Sequence, residues 1–551
     1  MPVINFKYGD LCSLLGQKVP HEVLIEKIPL MGADMHQTDG ECEDMSVEFF
    51  PDRPDLFSVE GLARALRAFL GIGPSVKRYD VEDSEYVATV EPSVLGIRPH
   101  FACAVVKDLE MSEDVIRSMM ELQEKLHMTI GRRRSKLAIG IHDLDKVSSP
   151  FRYTAVIPDE VSFVPLNHTE KMDLDGILRS HDKGRMYAHL LEGMERYPVI
   201  FDRNDNILSF PPIINGALTT VTTNTKNVFV DVTGNDWKAV KGALDIVATA
   251  LAERGGRICR VRMEGEQQGY SPDLTEKPYT ISMKECNRFL GLDLKKEGME
   301  EAISKMGMDV AISGDGVTVS IPPTRLDIMH KVDVFEDVAV GYGFEHFGGP
   351  YTTGQTVGKL GDITSMSDRV RDVMIGLGFT EVTTLTLSNR RDEFELSGLP
   401  VKTSTCITNP ITEDHTCLRS YLMPSLMRIL RHNKHRDLPQ RIFEIGFVSD
   451  EHHTVPHLCG MATASKTSFT EIRSVTDAVM REMNIDCEVS PCNYRAFVDG
   501  RGAFISSGGK TIGFFGEVSP KVVTDYDITH PVMMFEIGLS DIMCEKAGRL
   551  F

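Results

Sequence analysis

The chain has 551 residues, 42% of them hydrophobic and 25% charged, which is typical of a globular protein with large apolar cores. At ~150 residues per domain, this length predicts about four domains. The net charge of −20 excludes a protein that binds nucleic acid through a general basic field, so any such contact is local. No apolar run approaches the ~18 residues of a membrane helix, and the N-terminal sequence lacks the parts of a signal peptide. These features predict a cytoplasmic protein without a membrane segment.

Neither the cysteines nor the basic clusters of the chain predict a metal, redox or binding site by themselves. The eleven cysteines contain no C-x-x-C pair, which indicates reduced thiols rather than a zinc or redox site. Basic clusters at 131–136 and 431–436 are more typical of solvated loop or helix faces than of binding sites.

A self-comparison of the chain reveals an internal repeat. The segment 15–34 recurs at 290–309, and Pro51–Asp55 then aligns with Pro323–Asp327 as a shared P-x-R-x-D pattern. Each copy predicts a short amphipathic helix ended by glycine, a hairpin, a proline-containing loop and a second helix. That second helix is predicted at Val59–Phe69 in one copy and at Val332–Val340 in the other. We therefore expect two related small α+β modules.

Four carboxylates gather near the last helix of the second copy: Asp327, Asp333, Glu336 and Asp337. Asp333 and Asp337 are one helical turn apart, and Glu336 lies beside them on the same face. Hard carboxylate oxygens suit Mg²⁺, which keeps several water ligands. The alternative is a solvated helix start, because acidic residues favour the first turn of any helix.

The first copy is a control for these carboxylates. At the positions of Asp333, Glu336 and Asp337 it has Gly61, Arg64 and Ala65. The fold therefore does not require acidic residues at those three positions. Asp327 differs, because its counterpart in the first copy is also acidic, so a structural pair with Arg325 competes with a metal role.

Between the two copies, the region 90–265 is rich in β-branched residues. Strands are predicted at Lys136–Ile141, Tyr153–Ile157, Val199–Phe201, Ile207–Phe210 and Asn227–Val232, and helix at His168–Glu192. Asn215 follows a proline-fixed bend, and Asp231 and Thr233 stand where the last strand is predicted to end at a turn. Polar side chains at strand ends are frequent functional positions, and a turn-forming role is the alternative.

The region 355–551 predicts a further α+β domain. Its predicted elements are a helix at Ile363–Leu377, a strand at Glu381–Leu387, a helix at Met423–Asn433 and a strand at Gln440–Val448. The segment Gly508-Gly509-Lys510-Thr511 ends like a phosphate-binding loop. Because Phe504 stands where that loop needs its first glycine, a β-hairpin is the better interpretation.

Several motifs occur in a fixed order along the whole chain: Pro51–Asp55, Gly140–Asp145, Ser209–Asn215, Pro322–Asp327, Asn409–Pro410, Leu418–Ser420 and Phe443–Gly446. This series resembles the β subunit of phenylalanyl-tRNA synthetase in its archaeal and eukaryotic cytosolic form. The resemblance implies an enzyme that joins phenylalanine to tRNA(Phe) with ATP and Mg²⁺. It also implies an α2β2 heterotetramer, in which the partner α subunit carries the aminoacylation site.

The resemblance further implies an α+β multidomain fold with four domains. These are a winged-helix-like module at 1–85, a mixed α/β editing domain of the B3/B4 type at 90–265, a second winged-helix-like module with the acidic cluster at 268–347, and a class II synthetase core at 355–551. The last is an antiparallel sheet with flanking helices. Active relatives of that core have a Gly-Arg-Val-Tyr-Arg stretch, where this chain has Gly446–Asp450 without an arginine. The core is therefore expected to lack ATP chemistry and to serve assembly.

Two sites follow from the resemblance. A Mg²⁺ site shared with the α subunit would lie on Asp327, Asp333, Glu336 and Asp337, and an editing pocket would hydrolyse Tyr-tRNA(Phe). The editing residues that it implies are Ser209, Asn215, Asp231 and Thr233, with positioning roles for substrate or water. One alternative is a purely structural or tRNA-binding subunit with an inactive pocket. Another is an independent Mg²⁺-dependent nuclease or phosphotransferase that uses the carboxylate cluster.

Overall fold

The computed structural model describes residues 2–35, 43–349, 354 and 356–540. The chain divides into two compact units, Met1–Tyr351 and Thr352–Phe551, each with its own sheets. Among the described residues, no helix is long and apolar enough to cross a membrane. The chain is thus a mixed α and β protein of more than one structural unit.

The N-terminal module is a small three-stranded sheet with helices packed on it. Its elements are β1 (Val3–Lys7), α1 (Tyr8–Leu15), α2 (His21–Lys27), β2 (Ala33–Met35), β3 (Asp44–Phe49) and α3 (Val59–Phe69). The sheet order is β1-β3-β2, and all pairs are antiparallel.

The central domain is built on two larger sheets. Its elements are β4 (Val81–Glu82), β5 (Val87–Val90), β6 (His100–Lys107), α4 (Glu113–Met128), β7 (Leu137–Asp143), β8 (Phe151–Val156), β9 (Ser162–Phe163), β10 (Met172–Asp173), α5 (Leu174–Ser180), α6 (Asp182–Tyr187), β11 (Tyr197–Phe201), β12 (Ile207–Phe210), β13 (Ile214–Asn215), β14 (Val228–Gly234), α7 (Trp237–Glu253), β15 (Arg257–Cys259), β16 (Val261–Gly265) and β17 (Gly269–Ser271). One sheet has the order β4-β15-β6-β14-β7 and the other β13-β12-β11-β8-β5-β16-β17.

These two sheets pack face to face over an aromatic core. Phe101 and Phe229 from the five-stranded sheet meet Phe151 and Tyr153 from the seven-stranded sheet, and all four are fully buried. Helices α4 and α7 cover the other face of the five-stranded sheet, where they share one apolar core with the N-terminal module. Stacked rings add geometric specificity to this burial. The result is a two-sheet frame that includes β7, β12 and β14.

The second module repeats the first. Its elements are β18 (Lys277–Ser282), α8 (Met283–Leu290), α9 (Lys296–Lys305), β19 (Asp309–Ser313), β20 (Gly316–Ile321) and α10 (Lys331–Tyr342). The sheet order, β18-β20-β19, is the same first-third-second order as in the N-terminal module. In both modules the first helix ends at a glycine in the left-handed region, Gly16 at φ 78° and Gly291 at φ 70°. The predicted repeat is therefore confirmed.

The second unit is one seven-stranded sheet with helices on both faces. Its elements are α11 (Asp362–Gly376), β21 (Thr380–Glu381), β22 (Leu387–Ser388), a π-helical segment (Arg391–Leu396), β23 (Cys417–Leu418), α12 (Met423–His432), β24 (Gln440–Asp450), β25 (His453–Thr463), α13 (Phe469–Glu482), β26 (Glu488–Pro491), β27 (Phe497–Ser507), β28 (Lys510–Val518), α14 (Pro520–Asp525) and β29 (Val532–Gly538). The order is β21-β24-β25-β29-β28-β27-β26, antiparallel except for the edge pair β21–β24. Helices α11 and α13 cover one face, and α12 and α14 the other.

Most predicted elements are confirmed, and three differ. In place of the strand predicted at Glu381–Leu387, the structure has two short strands on different sheets, and the residues between them belong to neither strand. The helix predicted at His168–Glu192 is two short helices that break at His181. Asp231 lies in the middle of β14 rather than at its end, since β14 runs on to Gly234 between two partner strands. The four predicted domain boundaries stay predictions.

Candidate functional site

A cavity of about 380 Å³ lies in the central domain, and three of the predicted editing residues line it. Its walls come from α4, from β7 and β14 of the five-stranded sheet, and from the β12–β13 hairpin of the seven-stranded sheet. Much of the wall is apolar, including Met120, Ala138, Ile139, Leu166, Phe210, Pro211, Pro212, Ile213 and Ile214. Ser209, Asn215 and Asp231 are the polar predicted residues on it. An apolar cavity of this size with a few convergent polar groups is the usual form of a small-ligand site.

Ser209 and Asn215 face each other across the β12–β13 hairpin. They are direct cross-strand partners, so their side chains leave the same face of the sheet. The Ser209 hydroxyl is buried and has no hydrogen-bond partner among the residues that the structure describes. A buried hydroxyl without a partner costs about 1–3 kcal/mol, which makes it a candidate contact for a ligand.

Arg134 holds the bend of this hairpin in place. Its Nη1 donates to the carbonyl oxygens of Pro212 at 3.1 Å and Ile213 at 2.9 Å, and its guanidinium stacks over the Tyr187 ring. The side chain is only 12% exposed. The prediction that the basic cluster at 131–136 is a solvated face is therefore wrong for Arg134, since the guanidinium replaces water with two carbonyls and a ring.

Asp231, which lines the cavity, forms a buried pair with His142. His142 Nε2 lies 2.7 Å from Asp231 Oδ1, and its Nδ1 lies 2.7 Å from the Thr219 hydroxyl. A carboxylate only accepts, so the Nε2 hydrogen is donated to Asp231. The second carboxylate oxygen of Asp231 makes no hydrogen bond to any described residue. Asp231 thus lines the cavity with one carboxylate oxygen held by His142 and the other unpaired among the described residues.

Gly140 makes room for this pair. It lies directly opposite Asp231 in the β7–β14 ladder. A Cβ atom there would overlap Asp231 Oδ1 and lie 2.6 Å from His142 Nε2. Any larger residue would displace both side chains, so the sequence needs glycine at this point of the strand.

Charged groups line the rim of the cavity. The hydrogen bond from His127, helped by Arg134 and Lys183, lowers the pKa of Glu124 to about 2 despite partial burial. Burial lowers the pKa of His127 to about 4, so its ring is neutral at pH 7 and its Nε2 accepts from the Ile139 amide at 2.8 Å. Glu124 is therefore ionised beside the Lys183 ammonium, 3.6 Å away.

Thr233 does not line the cavity. It is fully buried two residues beyond Asp231 on the same strand, and its hydroxyl accepts from Arg98 Nε at 3.0 Å. Arg98 also donates to the Thr233 carbonyl, and its burial lowers the pKa of that guanidinium to about 10. Thr233 therefore contacts Arg98, whereas the other three predicted editing residues line the cavity together.

In the acidic cluster, Arg325 occupies two of the four carboxylates. Its Nη2 donates to Asp327 at 2.6 Å and to Asp337 at 2.8 Å, and the guanidinium is 4% exposed. This is the structural pair that competed with a metal role for Asp327. Asp55 in the first module binds Arg53 in the same bidentate manner.

The other two carboxylates of the cluster lie at the start of α10. Asp333 Oδ2 accepts from the amides of Met329 at 2.7 Å and His330 at 2.6 Å, which is an N-cap arrangement. Glu336 is exposed, and partial burial together with the neighbouring carboxylates raises its pKa. Within the described ranges, no group of three or more His, Cys, Asp or Glu side chains is placed to hold a metal ion. Only Glu336 and one oxygen of Asp333 are thus left free for a cation.

The second unit has a buried ion pair on the face of its sheet beside Gly446. Arg419 Nη2 lies 2.9 Å from Glu444, Nη1 donates to the Thr384 hydroxyl at 2.6 Å, and Nε donates to the Phe447 carbonyl at 2.8 Å. A Cβ on Gly446 would overlap this guanidinium. Arg419 is therefore held by the protein itself and leaves no free guanidinium edge at this place.

Sequence reasoning did not identify several residues around the cavity. They are Glu124, Arg134, Gly140, His142, His181 and Lys183. The signal for two of them was a motif, since Gly140 and His142 open the segment Gly140–Asp145 singled out for its order along the chain. The others come from distant segments that only the fold brings together.

Comparisons with known proteins agree over nearly the whole chain. Residues 109–255 match the model of the B3/4 domain, residues 279–344 that of the tRNA synthetase B5 domain, and residues 351–539 that of the phenylalanyl tRNA synthetase beta chain CLM domain. The chain is 43% identical over 542 residues to the phenylalanine–tRNA ligase beta subunit of Methanothrix thermoacetophila, covering 98% of this chain and 100% of that protein. It is 44% identical to the same subunit of Archaeoglobus fulgidus, over 98% of each chain.

A solved structure agrees with these relatives. The crystal structure of an N-terminal fragment of the phenylalanyl-tRNA synthetase beta-subunit from Pyrococcus horikoshii is 38% identical, with a TM-score of 0.59. It covers 62% of this chain and 100% of that fragment. The chain belongs to the phenylalanine–tRNA ligase β-subunit family.

Proposed function

We propose that this chain works with an α subunit to attach phenylalanine to tRNA(Phe), and that it removes tyrosine wrongly attached to that tRNA. Family membership supports the first part. The observation that carries the second is the cavity that gathers Ser209, Asn215 and Asp231 within the B3/4 match. On this proposal the subunits form an α2β2 heterotetramer in the cytoplasm, and ATP, phenylalanine and tRNA(Phe) are bound through the complex.

The need for such a site follows from the chemistry of the two amino acids. An apolar pocket for phenylalanine rejects an isostere with an added hydroxyl by only ~10²-fold. A second site that hydrogen-bonds this hydroxyl can discriminate far more strongly, because its buried polar groups stay unpaired when the hydroxyl is missing. Ser209 and Asp231 offer this pairing, since each has an oxygen without a described partner. Tyrosine would satisfy them and phenylalanine would not.

The residues of the cavity act by positioning on this proposal. The phenol hydroxyl donates to the free Asp231 oxygen, and the Ser209 hydroxyl bonds the phenol oxygen. Asn215, opposite Ser209, orients the aminoacyl group or the attacking water through its side-chain amide. Ser209 is not a nucleophile here, because no base among the described residues bonds its hydroxyl. Hydrolysis adds water to the ester carbonyl, and the tRNA ribose hydroxyl leaves with a proton from that water.

We assign no aminoacylation chemistry to the second unit. Stabilising charge at the ATP α-phosphate needs a free guanidinium, and Arg419 is bound to Glu444 and two further acceptors. Segment Gly446–Asp450 contributes no arginine. The unit then acts as a degenerate class II core for assembly, and the two winged-helix-like modules flank the editing domain.

Mg²⁺ binding by the acidic cluster is a separate part of the proposal. Among Asp327, Asp333, Glu336 and Asp337, the described contacts leave Glu336 and one oxygen of Asp333 for a cation. Mg²⁺ is commonly held by one or two carboxylates plus waters, so groups of the α subunit would complete the site. When bound, the ion would offset the repulsion from neighbouring carboxylates, which adds to burial in raising the pKa of Glu336.

Deacylation of Tyr-tRNA(Phe) by the purified complex tests the editing role. In the Asn215→Ala complex we expect the rate to fall at least ~10²-fold, as when one oriented polar group is removed from a hydrolytic site. Asn224→Ala is the matched control, because Asn224 is exposed and outside the cavity. Unchanged deacylation in the Asn215→Ala complex would favour a purely structural or tRNA-binding subunit.

An independent nuclease or phosphotransferase remains the other candidate. It would turn over substrate with Mg²⁺ in the absence of any partner, and Glu336→Gln would abolish this turnover. Our proposal predicts none, and predicts instead that Glu336→Gln weakens the Mg²⁺ dependence of the complex.

A further inference from the structure

A second cavity, of about 410 Å³, lies in the first unit away from the editing residues. It sits where the two modules meet, because both P-x-R-x-D loops reach it through Arg53, Asp55 and Arg325. Helix α3 and the segment that follows it form the other side. The proposed editing function makes no use of this cavity. We name it the junction cavity.

Positive side chains dominate the walls of the junction cavity. Six cationic residues line it, Arg53, Arg64, Arg67, Lys77, Arg78 and Arg325, against two carboxylates, Asp55 and Glu276. The acidic partners of Arg67 and Arg325, namely Glu253, Asp327 and Asp337, are not among the lining residues. Arg53 and Arg64 pair with Asp55, and Arg78 pairs with Glu276 and Asp309. Arg325 and Lys77 are therefore the lining cations that we consider for an anion, since each has a donor without a partner among the described residues.

Several donors on the walls have no protein partner. Arg325 Nη1 has no acceptor among the described residues, and the side chain that carries it is 96% buried. Within the same described ranges, the Lys77 ammonium makes no ion pair, and the hydroxyls of Ser75 and Thr324 make no hydrogen bond. Arg325 and Thr324 are buried, so their unsatisfied donors cost free energy, whereas Lys77 is exposed and Ser75 is half-buried. An anion with several oxygens satisfies all four together.

The remaining walls are apolar. Ala65, Pro74, Leu274, Met306, Pro322 and Pro323 line them, and the Lys77 ammonium lies 5.9 Å from the centre of the Tyr79 ring. The volume falls within the range of ~300–1,000 Å³ that is usual for small-molecule sites. The cavity therefore suits an anionic group on a small organic body better than a bare ion.

We propose that the junction cavity binds a phosphate monoester. A guanidinium edge, an ammonium and two hydroxyls offer donors from different directions, which matches three phosphoryl oxygens better than two carboxylate oxygens. The apolar walls hold the organic body of the ester. Because residues from both modules contribute donors, the bound ester also fixes the two modules together.

Calorimetric titration of the full chain, alone or in its complex, tests this site. Inorganic phosphate and phenyl phosphate are the probes, at constant ionic strength with acetate as the reference anion. We expect one saturable site per chain, with phenyl phosphate bound more tightly than phosphate because of the apolar walls. Lys77→Gln should weaken phenyl phosphate binding about tenfold, as expected for the loss of one charge-assisted hydrogen bond.

Lys77 is exposed, so its replacement does not threaten folding, and Lys238→Gln, an exposed lysine outside the cavity, is the matched control. Ser75→Ala should weaken binding by a smaller factor, and neither change should alter Tyr-tRNA(Phe) deacylation. Four results would overturn the proposal. They are no binding of either probe, equal binding by wild type and Lys77→Gln, equal competition by acetate, and displacement of phenyl phosphate by a short single-stranded RNA.

Discussion

Buried polar side chains occur both at the central cavity of the first unit and on the sheet face of the second unit. They differ in whether their polar atoms are hydrogen-bonded to other protein groups. In the first unit, Ser209 and Asp231 line a cavity, and each has a side-chain oxygen without a partner among the described residues. In the second unit, the three guanidinium nitrogens of Arg419 all bind protein groups, and Glu536 accepts from two backbone amides and His457. Polar groups that bind one another stabilise a fold, whereas unpaired ones can serve a ligand. On the proposed function, this contrast places hydrolysis in the first unit and assembly in the second.

Breaking the buried pair of the second unit should have the largest effect. Arg419→Ala leaves Glu444 buried without its cation, which should lower the free energy of unfolding by about 3–5 kcal/mol. Denaturant unfolding monitors this loss, and Arg436→Ala, at an exposed arginine, should leave the midpoint unchanged. The double change Arg419→Leu/Glu444→Leu should recover most of the loss. A small effect of Arg419→Ala would show that the pair is not structural.

Filling the space at Gly140 should come next. Gly140→Ala forces Asp231 and His142 apart, so we expect about 1–3 kcal/mol of destabilisation together with loss of deacylation. Gly96→Ala is the control, because a Cβ there meets nothing within 4 Å. Full deacylation in the Gly140→Ala complex would separate the Asp231–His142 pair from the reaction.

Removing one unpaired hydroxyl from each unit sharpens the comparison. Ser209→Ala and Ser425→Ala both delete a buried hydroxyl without a described partner, so both should raise stability by up to about 1 kcal/mol. Only Ser209→Ala should slow deacylation of Tyr-tRNA(Phe). Melting curves and the deacylation assay together decide this. Equal deacylation by the two variants would remove Ser209 from the site.

Two carboxylates should give the units opposite responses to pH. The His127 hydrogen bond lowers the pKa of Glu124 to about 2, so its contribution is present above its unfolded value near 4.5 and is lost towards pH 2. Burial raises the pKa of Glu393 to about 7, so the second unit should lose stability as pH rises from about 4.5 through 7. Melting temperatures from pH 3 to 8 test both slopes. Glu124→Gln should flatten only the loss of stability towards pH 2, and Glu393→Gln should flatten only the loss between about pH 4.5 and 7.

The sequence predicted the local elements well and the contacts between them poorly. The repeat, the helix Val59–Phe69 and the hairpin through Gly508–Gly509 follow from periodicity and glycine placement, which act over a few residues. The Asp231–His142 pair joins residues 89 apart in sequence, and Arg134 reaches carbonyls 78 and 79 residues away. No local pattern encodes such contacts. Asn215 and Asp231 were identified through the family resemblance rather than through spacing.

The separation of hydrolysis from aminoacylation is tested most directly with one preparation of the Asp231→Asn complex. Asparagine keeps the size of the side chain but replaces one acceptor oxygen with a donor, which removes the proposed pairing with the tyrosine hydroxyl. We expect phenylalanine-dependent ATP–pyrophosphate exchange at the wild-type rate, and Tyr-tRNA(Phe) deacylation reduced at least ~10²-fold. Unchanged deacylation, or an equal loss of both activities, would contradict the account.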